Sequence, residues 1–392
     1  MNKKVISSNI AKFLFFFFIG AFALALLNQN YTTKVKKDLE RQTGQFGNEI
    51  VFNKAKVLEI LDEGERNVGG VKIPFQEVKL EILEGKEKGK KIDHIHGGDV
   101  SITDDQKVRQ GQTIVLSKSQ NFDKTFTYQI ADKYRLDNII IFVAAFVVFV
   151  FFISGRKSLG SFIGLAFSFL VIIKFIIPQI LDGKDPLLII IIGSFLILLT
   201  TIYLAHGFSK QTTVAVFSTF ITLALTGLLA VLFVNIGLLT GQGSEEAYSL
   251  RLGPTEIINL KGLLLGGILI GVLGVLDDIT TTQAAAVFEL AKTDKKLSLT
   301  ELIKKGHSIG KEHISSLVNT LVLAYTGVSL PIIIFFLLNP NNTPVWVIFN
   351  SELVSEEIVR TLAGSFGLVL AVPIATILAA FVAVKENIKV RD

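Results

Sequence analysis

Long, nearly uninterrupted blocks of apolar residues fill most of this chain, and only one early segment breaks the rule. Lipid offers no hydrogen bonds to a free backbone, so a crossing segment must satisfy its own as a helix or join a closed barrel. A crossing helix takes roughly 17–25 mostly apolar residues. Eight stretches are read as candidates: residues 10–27, 138–153, 159–181, 187–205, 212–238, one starting near 260, 316–338 and 361–384. The early segment, 28–137, follows a different period. Val78, Leu80 and Ile82 alternate with Lys79 and Glu81, which is the pattern of a strand with one face covered. Similar runs occur at 51–61, 91–96, 113–117 and 125–131. Glycines at Gly69-Gly70, Gly85, Gly89, Gly97-Gly98 and Gly111 mark turns between them. The expected fold class is therefore a membrane all-α helical bundle of about eight transmembrane helices with an inserted small β-barrel-like, OB-like extracytoplasmic domain. The expected parts are an anchor at 1–27, a β-rich domain at 28–137 and a seven-helix domain at 138–392.

The first stretch admits two readings. Lys3, Lys4 and Lys12 precede the apolar run, and Ala23-Leu24-Ala25 resembles a cleavage site, so a removed signal peptide stands beside a retained anchor. Orientation follows the bias of Lys and Arg toward the cytoplasmic side. With the N-terminus inside, the inner loops hold Arg156, Lys157, Lys210, the cluster from Lys292 to Lys311, Lys385, Lys389 and Arg391, and the C-terminus is cytoplasmic. The outer loops hold only Lys184, Arg251, Lys261 and Arg360, with the acidic run Glu352, Glu356 and Glu357. Lys34, Lys36, Lys37 and Arg41 conflict locally, and the other spans outweigh them.

Composition narrows the chemistry. An apolar share of 50% does not by itself separate this chain from a soluble one; the clustering does. There is no Cys, which excludes disulfides, thiol catalysis and Cys-based zinc or iron–sulfur sites. A net charge of +5 suits a nucleic acid, but the basic loops explain it, so the expected partner is the lipid bilayer and no nucleic acid. No cofactor and no metal are expected.

The sixth stretch carries the strongest chemical signal. Gly267, Gly271 and Gly274 share a helical face with Asp278, beside Asp277. Small residues let a neighbouring backbone approach, and an ionisable residue at membrane depth is functional by default. Asp278 is expected to point into a helix contact. In a dry site two adjacent carboxylates do not both stay ionised, which suits proton or cation coupling. The alternative is a helix that ends at Leu276, with Asp277 and Asp278 capping a following cytoplasmic helix. In the seventh stretch Ser316, Asn319 and Thr320 share a face by their i, i+3, i+4 spacing, near His313 and Tyr325. That stripe either completes a site with Asp278 and Gln283 or serves as interhelical glue. The candidate binding residues are Asp277, Asp278, Thr282, Gln283, Glu289, His313, Asn319, Thr320 and Tyr325, for an unknown solute or ion.

Other residues weigh less. Lys174 is expected to snorkel, His206 to sit at the interface, and Pro331 and Pro373 to kink their helices. His94 and His96 share a strand face at a metal-compatible spacing, with Asp99 as a third ligand, although surface histidines are the commoner reading. Residues 292–311 read as a basic amphipathic surface helix attracted to anionic lipid, or to a cytosolic partner.

Two long stretches resemble the YibE/F-like family of bacterial membrane proteins. One runs Gly274-Val-Leu-Asp-Asp278-Ile-Thr-Thr-Thr-Gln283-Ala-Ala-Ala-Val-Phe-Glu289-Leu. The other runs Ile309-Gly310-Lys-Glu-His313 through Asn319 and Tyr325 to Gly327 and Pro331. The layout of the chain agrees. The resemblance implies a bacterial plasma-membrane protein and no particular chemistry. A secondary transporter or permease is the leading expectation. A membrane scaffold or sensor, whose outer β domain binds an envelope partner, is the second. An enzyme is not expected: no G-x-x-x-x-G-K-[ST], H-E-x-x-H or G-x-S-x-G motif occurs, and the two aspartates share one helix.

Overall fold

The computed structural model describes residues 19, 20 and 22 and the stretches 50–68, 71–97, 102–121, 125–155, 157–252, 258–338 and 342–391. The chain forms two compact units, Lys37–Ile153 and Met1–Lys36 with Ser154–Asp392.

The first unit contains β1 (Val51–Val68), β2 (Val71–Ile82), β3 (Lys91–Gly97), β4 (Thr113–Gln120), β5 (Phe126–Lys133) and most of α1 (Leu136–Ser154). All five expected strands form. They make one antiparallel sheet in the order β3-β2-β1-β4-β5. The long β1 serves two neighbours: its first residues pair with β4, and from Ala55 onward it pairs with β2. Register shifts at Val57/Glu59 and Ile60/Asp62 bend it, as bulges do. The period of two holds: Val78, Leu80 and Ile82 are fully buried with Ala55, Val57, Ile114 and Leu116. Between β2 and β3, Glu87 accepts from Lys118 Nζ at 2.8 Å, Lys90 Nζ at 2.9 Å and the Tyr128 hydroxyl at 3.0 Å. The two ammonium groups, Lys118 first, hold its carboxyl down to about 2.

His94 and His96 lie on one face of β3, ring centroids 6.5 Å apart. Burial pushes the His94 imidazole down to about 4. Asp99, the suggested third ligand, lies outside the described residues. Among the described residues no three His, Cys, Asp or Glu converge to hold a metal.

The second unit is helical: α2 (Ser158–Leu181), α3 (Pro186–His206), α4 (Lys210–Ile236), α5 (Glu245–Leu252), α6 (Leu260–Thr293), α7 (Leu299–Val328), α8 (Leu330–Leu338), α9 (Val345–Asn350) and α10 (Glu352–Arg391). Among the described residues α1, α2, α3, α4, α6 and α10 are each long and apolar enough to cross a membrane, and α7 with α8 forms a further candidate bent by 62°. The chain is a membrane protein whose apolar helices face lipid. The stretch 10–27 lies outside the described residues apart from Ile19, Gly20 and Phe22. The Phe22 ring rests 6.3 Å from both Phe167 and Phe175 of α2.

α6 lies at the centre, packed against α3, α4, α7 and α10. Asn259 caps it by accepting from the Gly262 N–H at 3.0 Å. Its 34 residues span about 51 Å, more than a hydrocarbon core of about 30 Å. Ile268, Leu269 and Leu276 bury fully against Ile190, Leu198 and Ile202 of α3 and Leu368 of α10. The α7–α8 break falls just before Pro331, the expected kink. α10 continues helical through Pro373. A π turn at Ile172–Ile176 inside α2 holds Lys174, four residues before Pro178, which has no N–H to donate.

Two expectations fail here. α6 continues through Asp277 and Asp278 to Thr293, so these residues cap nothing. Residues 292–311 are not one surface helix. They comprise the end of α6, a turn, and the start of α7, where Ser298 and Glu301 form a capping box. Leu302 is fully buried there and packs with Ala284, Val287, Ala379 and Ala380. The apolar side of the segment is thus spent on the bundle, while Lys295, Lys296, Lys304 and Lys305 stay exposed.

Candidate functional site

A cavity of about 450 Å³ opens between α2, α3 and α6. Its polar lining is Asp277, Asp278 and Thr281 from α6, Thr201 and His206 from α3, and Ser161 and Ser168 from α2. Leu165, Ile172, Ile197, Leu198, Ile270 and Leu273 supply apolar wall. Successive helical residues diverge by about 100°, and this separates the two carboxylates. Asp277 turns inward, beside the Thr201 side chain. Its Oδ1 is buried and has no hydrogen-bond partner. Asp278 is exposed and also borders a second cavity of about 190 Å³, with Thr282, Gln283, His313, Ile279, Leu317 and Val372.

The carboxylate that enters the bundle is therefore Asp277, where the glycine face had pointed to Asp278. The physical reason is that, among the described residues, only side-chain tips of α7 and α10 reach that face, and none reaches Gly274. Gly271 and Gly274 are exposed. A Cβ on Gly267 would lie 3.3 Å from Arg360 Nη1, one on Gly271 3.0 Å from the Tyr325 hydroxyl oxygen, and one on Gly274 would meet nothing within 4 Å. The glycines leave room for polar side chains and open space.

The remaining candidates divide. Gln283 is buried; its Nε2 donates to Gly306 O at 2.8 Å and to Thr376 Oγ1 at 2.7 Å, tying α6 to α7 and α10. Thr282 and His313 line the smaller cavity. Glu289 is exposed and pairs with Lys292 at 3.6 Å, away from both cavities. Asn319 and Thr320 are exposed and line neither. Thr320 Oγ1 donates to Ser316 O of its own helix at 2.9 Å, so the expected packing of this stripe on α6 does not occur. Tyr325 is half-buried and lines a separate apolar groove of about 550 Å³ with Ile333, Phe349 and Leu362.

The YibE/F-like protein family matches residues 142–385, which is more than half of the chain and includes every residue of both cavities. The chain belongs to this family. No curated protein and no solved structure matches it.

The matched region of this YibE/F-like chain also holds residues that the sequence reading passed over. Ser161, Leu165 and Ser168 stand at i, i+4 and i+7 on α2, a stripe that could have been read as one face. A second feature had no local signal. The Thr240 N–H and hydroxyl and the Gly241 N–H all donate to Glu352 Oε1, at 2.5, 2.7 and 2.8 Å. The Gly243 N–H donates to the buried Glu356 at 2.9 Å. This loop latches the end of α4 onto the start of α10. Thr219 and Thr280 add a buried hydroxyl pair between α4 and α6 at 2.5 Å.

Proposed function

We propose that this YibE/F-like protein is an ion-coupled secondary transporter or permease of the bacterial plasma membrane. The supporting observation is the cavity between α2, α3 and α6, which carries two carboxylates and ends on a buried Asp277 oxygen without a partner. Buried polar atoms are nearly always bonded, and unpaired ones mark functional sites or missing ligands. Adjacent carboxylates at membrane depth suit a proton or cation that travels with the solute. On this reading both termini are cytoplasmic and residues 28–137, which include the antiparallel sheet, form a small β-barrel-like, OB-like extracytoplasmic domain. The lysines exposed within 292–311 face anionic lipid headgroups. The protein catalyses no covalent reaction and needs no cofactor, metal or nucleic acid.

The test is a reconstitution in proteoliposomes holding a trapped pH dye, challenged with pooled small metabolites. The expected result is solute-evoked proton movement that disappears in Asp277→Asn. Equal movement in the wild type, Asp277→Asn and Asp278→Asn would remove the carboxylates from the mechanism.

A second reading, a scaffold or sensor, draws on the β unit. Its edge strands β3 and β5 each carry one ladder among the described residues, so each could accept a partner strand. One abundant envelope protein crosslinked to the β unit, with no solute-evoked flux, would favour it.

A further inference from the structure

We infer that the ligand of the cavity between α2, α3 and α6 is a compact organic cation, an alkylammonium whose charged head meets Asp277 and whose hydrocarbon part lies along the apolar wall. This deepens the transporter reading and rests on it for the word transport, but the binding itself stands on four observations.

The first is charge. The ionisable side chains lining the cavity are two carboxyls, Asp277 and Asp278, and one imidazole, His206, so acidic groups outnumber the basic one. The second is the orphaned acceptor. Asp277 Oδ1 is buried with no donor, and an ammonium N–H supplies the missing charge-assisted bond. The Thr201 hydroxyl lies beside the carboxyl but has Ile197 O at 2.9 Å as a competing acceptor, and its one proton leaves Oδ1 unpaired; the Thr281 hydroxyl donates to Asp277's own backbone O at 2.8 Å. The third is size. About 450 Å³ falls within the range of small-molecule sites, about 300–1,000 Å³, and far exceeds a bare ion. The fourth is the wall. Leu165, Ile172, Ile197, Leu198, Ile270 and Leu273 offer a hydrated metal ion no oxygen ligand, while they remove hydrocarbon from water. Metal-ligating geometry does not compete: no three His, Asp or Glu converge among the described residues.

The experiment uses the full chain in lipid nanodiscs and four probes at fixed ionic strength: butylammonium chloride, butanol, sodium butyrate and sodium chloride, the last also serving as the blank for butyrate. Binding is read by calorimetry. The expected result is saturable binding of butylammonium with none of butanol or butyrate. Asp277→Asn should weaken it at least tenfold. Ser168→Phe, which fills the cavity from α2 and leaves the carboxylates in place, should do the same. Retained folding of each variant is checked by its melting temperature. Equal binding of butanol or butyrate overturns the proposal, and so does butylammonium affinity unchanged in both variants. Binding of sodium alone also overturns it in favour of an inorganic ion. If no alkylammonium binds while Asp277-dependent proton movement persists in proteoliposomes, the transporter reading stands and the cation assignment falls. If alkylammonium binds at Asp277 and no flux of any kind is evoked, the site stands and the transporter reading falls.

Discussion

Two pairs of glycines in the bundle, each spaced about one helical turn apart, do different things. On α7, Gly306 and Gly310 stand where helices touch. A Cβ on Gly306 would lie 2.8 Å from Val287 Cγ2, and one on Gly310 would collide with Val372 Cγ1 and lie 3.0 Å from Gln283 Oε1. On α6, Gly274 stands where helices part and lines the larger cavity, while Gly271 meets only the Tyr325 hydroxyl tip, at 3.0 Å from a Cβ. A small residue in a membrane helix thus has two uses: it brings backbones together, or it keeps a side chain out of a space that something else fills. Spacing cannot tell these apart. The neighbouring helices decide.

The sharpest way to break this comparison is one substitution at both places. Gly310→Ala should destabilise by about 3 kcal/mol, because overpacking there displaces both Val372 and the Gln283 amide. The readout is the melting temperature of the protein in detergent. A melting point unchanged from wild type would show that α7 yields easily and that its glycines are not packing residues.

Gly241→Ala ranks next. Gly241 has φ +84°, and a Cβ there would strike the Leu260 carbonyl oxygen. The left-handed conformation alone costs an L-residue about 1–2 kcal/mol. A total loss of about 2 kcal/mol is expected, with early proteolysis of the 240–243 loop as it leaves Glu352. Full stability with an intact loop would mean that the latch contributes nothing to holding α4 and α10.

How far the fold was legible follows from which forces act locally. The alternation of Val78, Leu80 and Ile82 and the apolar blocks located the centres of the strands and of the described spans, because burial in a sheet or in lipid acts residue by residue, but not their ends: β1 runs on to Val68, α7 begins at Leu299 and α10 at Glu352. The aspartate pair was legible as unusual for the same reason. Which aspartate enters the bundle was not, since that depends on the rotation of α6 about its axis, set by its packing against α3, α4, α7 and α10 together. The latch joins Thr240 to Glu352 across 112 positions, and no local pattern marks it. Asn319 and Thr320 misled because a polar stripe shows that a helix has a polar side without showing what faces it.

Gln283→Leu tests the tight region from its other partner. The substitution removes bonds to Gly306 O and Thr376 Oγ1. Both acceptors keep helical partners of their own, and Thr376 Oγ1 still donates to Val372 O at 2.7 Å. The expected loss is therefore only about 1–2 kcal/mol, seen as a modest fall in melting temperature. A collapse as large as that of Gly310→Ala would mean that the amide, rather than close packing, holds α6, α7 and α10 together.

Gly274→Ala has the smallest expected effect, and its sign carries the information. The position is helical, exposed and free of any atom within 4 Å of a new Cβ. Nothing resists the methyl group, and alanine loses less backbone freedom on folding than glycine, so a gain of about 0.5–1 kcal/mol is expected. The methyl also projects into the cavity that Asp277 closes. Stability should therefore rise while ligand occupancy of the cavity falls. The paired measurement is melting temperature and butylammonium affinity on the same sample. A loss of stability would place an unseen helix against Gly274 and return the glycine face to packing. A gain in stability with unchanged affinity would mean that this wall of the cavity never touches the ligand, leaving Asp277 and α2 to hold it.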